Sequence, residues 1–238
     1  MHRFFAPPGA FGETHVQLDG EILDHIRVLR LGPEEVFIVC DGAARDYRCV
    51  LAGDSAQILS VAENLAEPRV HCVVHLAYTR GERMDFAIQK SVELGAGEIC
   101  LFPAKRCVVK YDEKNLLKKV GRWEKIALEA AKQSGRGRVP PVIPMSDFKS
   151  AMECAAKADL PLFLYENEAH LSLGRALDRK PDFQTLSLVV GPEGGFDPDE
   201  AESALGEGLS PVTLGKRILR CETAPAAALA AVMFYVES

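Results

Sequence analysis

The chain contains no apolar run approaching the ~20 residues that a membrane-spanning helix needs. Its first ten residues, "MHRFFAPPGA", hold no apolar core of a signal peptide, so a secreted or membrane-anchored protein is not expected. Cysteines are few and unpaired in pattern: seven, at 40, 49, 72, 100, 107, 154 and 221, with no CxxC. An odd, scattered set argues against a disulfide framework or a zinc ribbon and for reduced thiols in the cytoplasm. Also missing are GxGxxG, GxxxxGK[ST], HExxH and GxSxG, which removes the usual dinucleotide, P-loop, zincin and hydrolase readings. "HCVVH" (71–75) puts two histidines on one strand face without a third ligand nearby in sequence. It reads as a packed or edge pair, and no metal is expected.

An excess of positive charge is lacking overall, with a net charge of −6, but not locally. Residues 69–140 carry 15 Lys and Arg against 8 Asp and Glu, whereas 1–68 carry 5 against 11 and 141–238 carry 8 against 15. Phosphate binding depends on a local patch and not on the total, so the basic middle keeps a nucleic-acid partner open beside a plain solvated helix face. With 47% hydrophobic and 26% charged residues, the chain has the profile of a globular protein with a full core.

Residues 14–63 read as β-rich. "EVFIVCDG", "RDYRCVLAG" and "SAQILSVAE" are separated by Asp-Gly, Gly-Ala and Gly-Asp turn signals, and "EILDHIRVLR" is a helical insert. A small barrel is expected, followed by a linker at 63–69. The pattern then changes to strands alternating with helices. Strands are expected at 70–78, in "EICLFPA", and at 160–166, 186–191 and 211–215. Helices are expected in "RMDFAIQKSVELG", over 112–135 with Leu116, Val120, Trp123, Ala127 and Ala131 inward, from Pro198 with Asp197 as N-cap, and from Glu222. Alternation of this kind predicts an α/β domain with a mostly parallel sheet, whose ligands sit at the carboxyl ends of its strands.

Three strand ends have similar character. "VVGPEGGF" runs into a glycine-rich turn with Glu193 at its centre. "LFLYENE" leaves its strand into a carboxylate and an amide. "TLGKRILRCETA" passes from Gly215 through an apolar Ile218-Leu219 pair to a helix start. Glycines let backbone amides approach a ligand, and an apolar pair beside free amides suits a flat ring with polar edges, such as adenine. Cys221 lies beside the site with no histidine near it in sequence, so it is not expected to be a nucleophile.

"HRFF" (2–5), "HIRVLR" (25–30), "QKSVELG" (89–95), "KQSGR" (132–136), "GPEGGF" (191–196) and "LGKRILRCETA" (214–224) together resemble the RsmE family, in the family's order and over nearly the whole chain. These are 16S rRNA (uracil-N3)-methyltransferases of the SPOUT superfamily. Cys221 departs from the family's more usual threonine. The resemblance implies a PUA-like β-barrel at 1–68 that binds RNA. It implies a SPOUT α/β methyltransferase domain at 69–238, with a parallel sheet and a deep trefoil knot, working as a homodimer without membrane or metal. It implies S-adenosyl-L-methionine as cofactor, held by Leu164, Tyr165, Glu166, Gly191, Pro192, Glu193, Gly194, Gly195, Leu214, Gly215, Ile218, Leu219, Arg220, Glu222, Thr223 and Ala224. The implied acceptor is N3 of a specific uridine in the decoding region of 16S rRNA in the small ribosomal subunit. Arg220 is the expected stabiliser of the deprotonated uracil, and Glu193 and Glu222 are bases or ligand anchors. RNA contacts are expected at Arg3, Arg27, Arg30, Lys90, Lys105, Arg106, Gln133, Arg136 and Arg138. A different α/β enzyme with a nucleotide-like cofactor, or an RNA-binding assembly module with a vestigial site, remain as alternatives.

Overall fold

A computed structural model describes residues 1–238. The chain divides into two compact units, one of residues 1–67 and 131–139, the other of 68–130 and 140–238. No helix is long and apolar enough to cross a membrane.

The first unit holds strands β1 (Arg3–Phe5), β2 (His15–Gln17), β3 (Phe37–Cys40), β4 (Arg45–Ala52) and β5 (Ser55–Glu63), with helix α1 (Gly20–Leu29) between β2 and β3. They form one sheet in the order β1-β3-β4-β5-β2. The β3–β4–β5 meander is antiparallel, and β1 runs parallel to β3. α1 starts at Asp19, whose carboxylate accepts the Ile22 N–H, and ends at Arg30 in the left-handed region. One core gathers Phe4, Val16, Ile22, Ile26, Phe37, Val39, Cys49 and Ala56 from all five strands and the helix. Phe4 of "HRFF" is buried edge-on against Phe37 and His25.

Beside that core lies a buried polar network. Arg3 donates two hydrogen bonds to the Asp46 carboxylate, at 2.6 and 2.8 Å. Asn64 donates to Asp46 and to the Gly135 carbonyl. Arg136, only 3% exposed, pairs with Glu67, whose other oxygen accepts the N–H groups of Gly137 and Arg138. Within the segment 63–69 expected as a linker, Asn64 and Glu67 satisfy the backbone of the returning segment 131–139, so this part belongs to the first unit.

The second unit is built on six parallel strands: β6 (His71–Ala77), β7 (Glu98–Phe102), β8 (Val142–Pro144), β9 (Leu160–Leu164), β10 (Thr185–Val190) and β11 (Ser210–Val212). Their order is β11-β9-β10-β6-β7-β8. The helices are α2 (Glu82–Glu93), α3 (Glu113–Ser134, whose last turn belongs to the first unit), α4 (Phe148–Ala155), α5 (Leu173–Arg179), α6 (Pro198–Gly206) and α7 (Thr223–Glu237). Strands covered on both faces read as near-continuous apolar runs, as "HCVVHLA" and "TLSLVV" do. Gly95 stops the α2 segment at φ +91°. Asp197 forms a capping box with Glu200 and is followed by Pro198 at the first helical position. In α3, Trp123, Ala127 and Ala131 are fully buried, while Leu116 and Val120 are half-buried. Of the histidines expected as a packed or edge pair, His71 is exposed and His75 is fully buried, where burial pushes its imidazole down to about 4.

Candidate functional site

The chain builds outward from β6 in two directions, through β7 and β8 on one side and through β10, β9 and β11 on the other. The order therefore reverses between β6 and β10, which is where open parallel sheets bind ligands beyond their carboxyl ends. A cavity of about 580 Å³ opens beside this point, beyond the ends of β9, β10 and β11, with Arg83 reaching it from the β6 side. This lies within the roughly 300–1,000 Å³ of small-molecule sites.

Three loops form its wall. Leu164, Tyr165 and Glu166 follow β9, Gly191–Gly195 follow β10, and Leu214–Glu222 lead from β11 toward α7. Of the residues expected to hold a cofactor, only Thr223 is off the wall. It opens α7, and its N–H bonds the Arg220 carbonyl at 2.9 Å. The wall also includes Arg83, Val190, Val212, Thr213, Arg217 and Cys221, which the sequence reading did not assign to it. Arg83 had a signal. "YTRGERM" is a fourth strand end with a positive-φ glycine, Gly81, and flanking charges, the same character as the other three.

The glycine-rich loop is a tight turn, closed by the Gly195 N–H on the Pro192 carbonyl at 3.0 Å. Gly195 has φ +67°, in the left-handed region that disfavours side chains, and a Cβ there would lie 2.2 Å from Oε1 of the exposed Glu166 and push that side chain aside. A Cβ on Gly191 would lie 2.9 Å from the Phe196 ring that floors the loop. Glu193 reaches back over the switch point. Its Oε1 accepts the Arg80 N–H at 3.0 Å and Arg83 Nη1 at 3.2 Å, and its Oε2 is buried without a partner. Such an orphan acceptor fits a ligand donor.

In the last loop, Gly215 has φ +111° and Ile218 is 85% exposed. Arg220 is exposed and makes no ion pair, so neither Glu193 nor Glu222 neutralises it. Glu222 stands at the N-cap of α7 without capping it, and accepts the Cys221 S–H at 3.3 Å. Burial, reinforced by Glu222, pushes the Cys221 thiol up to about 12, which keeps it protonated and unsuited to nucleophilic attack.

The residues expected to contact RNA do not share one situation. Arg3 and Arg136 are corrected outright: their guanidinium groups are buried against Asp46 and Glu67 and hold the first unit together. Lys105 and Arg106 are about half exposed beside the glycine-rich loop. Lys105 pairs with Asp197 and Asp199, and Arg106 with Asp197 and the Gly194 carbonyl. Lys90 pairs with Glu93, and Arg27 with Asp24. Arg30, Gln133 and Arg138 are exposed.

Residues 66–233 match the family model of an RNA methyltransferase domain, and residues 18–61 match an RNA methyltransferase PUA domain. The chain is 34% identical to ribosomal RNA small subunit methyltransferase E of Bacillus subtilis, over 92% of this chain and 90% of that protein. It is 33% identical to the protein of the same name from Mesomycoplasma hyopneumoniae, over 94% and 95%. The solved structure of a ribosomal RNA small subunit methyltransferase E from Neisseria gonorrhoeae bound to S-adenosyl methionine superposes with a TM-score of 0.86, at 35% identity over 98% of this chain and 97% of that one. Switch-point cavity, glycine-rich loop and both domain matches agree, and the chain belongs to the RNA methyltransferase family, among the ribosomal RNA small subunit methyltransferases E.

Proposed function

We propose that this protein transfers a methyl group from S-adenosyl-L-methionine to N3 of a specific uridine in the decoding region of 16S rRNA. The observation that carries the reading is an unpaired, exposed Arg220 at the wall of a glycine-lined cavity whose one buried orphan acceptor is Glu193 Oε2. The cavity suits the cofactor. Leu164 and the exposed Ile218 offer apolar surface to an aromatic ring, and Gly191–Gly195 and Gly215–Leu219 offer backbone groups to its polar edges. When bound, the cofactor supplies a methyl group already activated on a sulfonium.

The difficulty lies with the acceptor. Uracil N3 holds a proton and is a poor nucleophile until that proton leaves. Arg220 stabilises negative charge developing on a uracil oxygen, which makes the N3 proton easier to lose. Glu193, with Oε1 held by Arg83 and the Arg80 amide, keeps Oε2 for a ligand donor. Glu222, free of capping, is the other carboxylate available as anchor or base.

The same reading makes the first unit an RNA-binding module with exposed Arg27 and Arg30, and places further RNA contacts at Lys90, Lys105, Arg106, Gln133 and Arg138. It puts the enzyme in the cytoplasm, as a homodimer of the α/β unit. A trefoil knot belongs to it too. What supports the knot is the lacing of the last loop to an earlier one, where the Thr213 N–H bonds Leu171 and the Leu173 N–H bonds Thr213. Mapping methylated nucleotides in rRNA from cells with and without the protein tests the assignment. N3-methyluracil cannot pair normally, so reverse transcription should stop at one small-subunit position only when the protein is present. Unchanged stops, or a modification on another atom, would sink it.

A further inference from the structure

Methyl transfer leaves unused four buried side chains of the second unit whose polar atoms lack a partner, Tyr78, Thr79, Ser91 and His75, and of these only the imidazole is a metal-ligating group. His75, on β6, is 0% exposed, and neither of its ring nitrogens has a hydrogen-bond partner. Folded proteins hold few such groups, and an ion is one of the standard reasons for them.

Two thiols face this imidazole. Cys100 stands opposite His75 in the parallel β6–β7 register, so both side chains leave the sheet on the same face. Cys154 comes from α4, which packs over both strands. One nitrogen of His75 and the two sulfurs all lie within 4.8 Å of one another. Ligand atoms around a tetrahedral zinc ion sit about 3.5–3.8 Å apart, so the cluster has roughly 1 Å to close. Cys154 is only half-buried and can make that adjustment while leaving an entry path. The Cys100 S–H donates to Glu98 Oε1 at 3.2 Å, and burial and that carboxylate favour the neutral thiol, so the thiolate forms only as the cation binds and its proton leaves to solvent.

We propose that His75, Cys100 and Cys154 form a binding site for a soft d10 cation, zinc(II) foremost, held by one imidazole nitrogen and two thiolates. Nitrogen and sulfur donors of this kind select zinc or copper(I) over magnesium or calcium. A disulfide between the two cysteines would consume both sulfurs and leave the imidazole as stranded as before, whereas a metal occupies all three groups. None of the three residues lines the switch-point cavity, so the site is separate from the proposed methyl-transfer machinery. Its role is to staple α4 to β6 and β7.

The full-length protein, purified under reduction and stripped with a chelator, should bind one equivalent of cobalt(II) with a thiolate-to-cobalt charge-transfer band that zinc(II) bleaches. Zinc should also raise its melting temperature. Cys154→Ser, checked for folding by circular dichroism, should weaken zinc affinity by more than the roughly 10–100-fold that losing an outer-shell partner costs. Cys49→Ser, in the other unit, should bind normally. His75→Gln should lose the site if it folds, and Cys154→Ser decides if it does not. The proposal is overturned if no stoichiometric metal binds, if Cys154→Ser keeps the cobalt band and affinity, or if the two cysteines oxidise to a disulfide and the re-reduced protein takes up no metal.

Discussion

Gly195 and Arg220 carry the most specific consequences of the site. At Gly195 the left-handed φ and the 2.2 Å approach to Glu166 act together. Gly195→Ala must therefore strain the β10 loop and push the Glu166 side chain aside. Calorimetry should show S-adenosylmethionine affinity falling by at least about tenfold, while the melting temperature stays within a few degrees, since the strain is confined to a surface loop. Arg220 has no partner to lose and no structural duty for its side chain. Arg220→Ala should keep cofactor affinity and lose roughly a hundredfold in single-turnover methylation, about 3 kcal/mol, as expected for one charge-stabilising contact once bound RNA has displaced water from the exposed guanidinium. Raising the pH should restore part of the rate, because more of the uracil is then already deprotonated. Arg220→Lys should recover less than the wild-type rate, since an ammonium lacks the planar fork. Loss of cofactor binding with normal chemistry at saturation would move Arg220 to the cofactor. The sequence indicated both residues by type and neighbourhood, but could not indicate that Arg3 and Arg136 were already engaged. A surface cation and a buried one look alike until their carboxylates, 43 and 69 residues away, are brought to them.

Among the elements, long periodic segments were legible and short ones were not. α3 and α7 announced themselves by an inward stripe and by alanine content. α4 and α5, of 8 and 7 residues, and the three-residue strands β1, β2 and β8 lie below the length at which periodicity is distinguishable from chance. The segment 63–69 read as a linker because nothing in its composition shows that Asn64 and Glu67 find partners at 135–138. That network gives the first unit an acid-labile joint. Burial would raise the Asp46 carboxyl, but the Arg3 and Asn64 hydrogen bonds outweigh it and hold the group below its usual range. A depressed carboxyl contributes its stability above the unfolded value near pH 4 and loses it as pH falls through the lower folded value. Thermal melts of the wild type should therefore fall below about pH 4. Asp46→Asn should lack that component and lose about 3 kcal/mol at neutral pH, because Arg3 is then left buried without its counter-charge. Equal acid sensitivity in both proteins would remove Asp46 from the account.

For the whole molecule, the α/β unit leaves apolar side chains in water that a monomer has no use for. Phe234 on α7 is 78% exposed and Phe86 on α2 is 43% exposed, on two helices that pack together. The proposed homodimer would cover this surface. Light scattering should give twice the monomer mass for the wild type and a smaller mass for Phe234→Asp, with the fold retained by circular dichroism. A monomeric wild type would refute the dimer. The cation cluster belongs to the same scale. Metal-ligand spacing is absent from the sequence because its three residues come from two strands and a helix, joined only by the β6–β7 register and the seating of α4.

The sequence by itself determined the class of the α/β unit, the strand ends that carry glycine and charge, and through its motifs the family. These depend on local signals: turn residues, alternation, a cap such as Asp197, and the residue types a ligand loop needs. Tertiary structure decided which strand ends are neighbours, because strand order follows from crossovers and not from adjacency in the chain. It also decided that Arg83 reaches from α2 to hold Glu193, that Arg220 stays free, and that Arg3, Arg136 and His75 are buried. Partnership and burial depend on distances between residues far apart in sequence, and those distances exist only once the chain has folded.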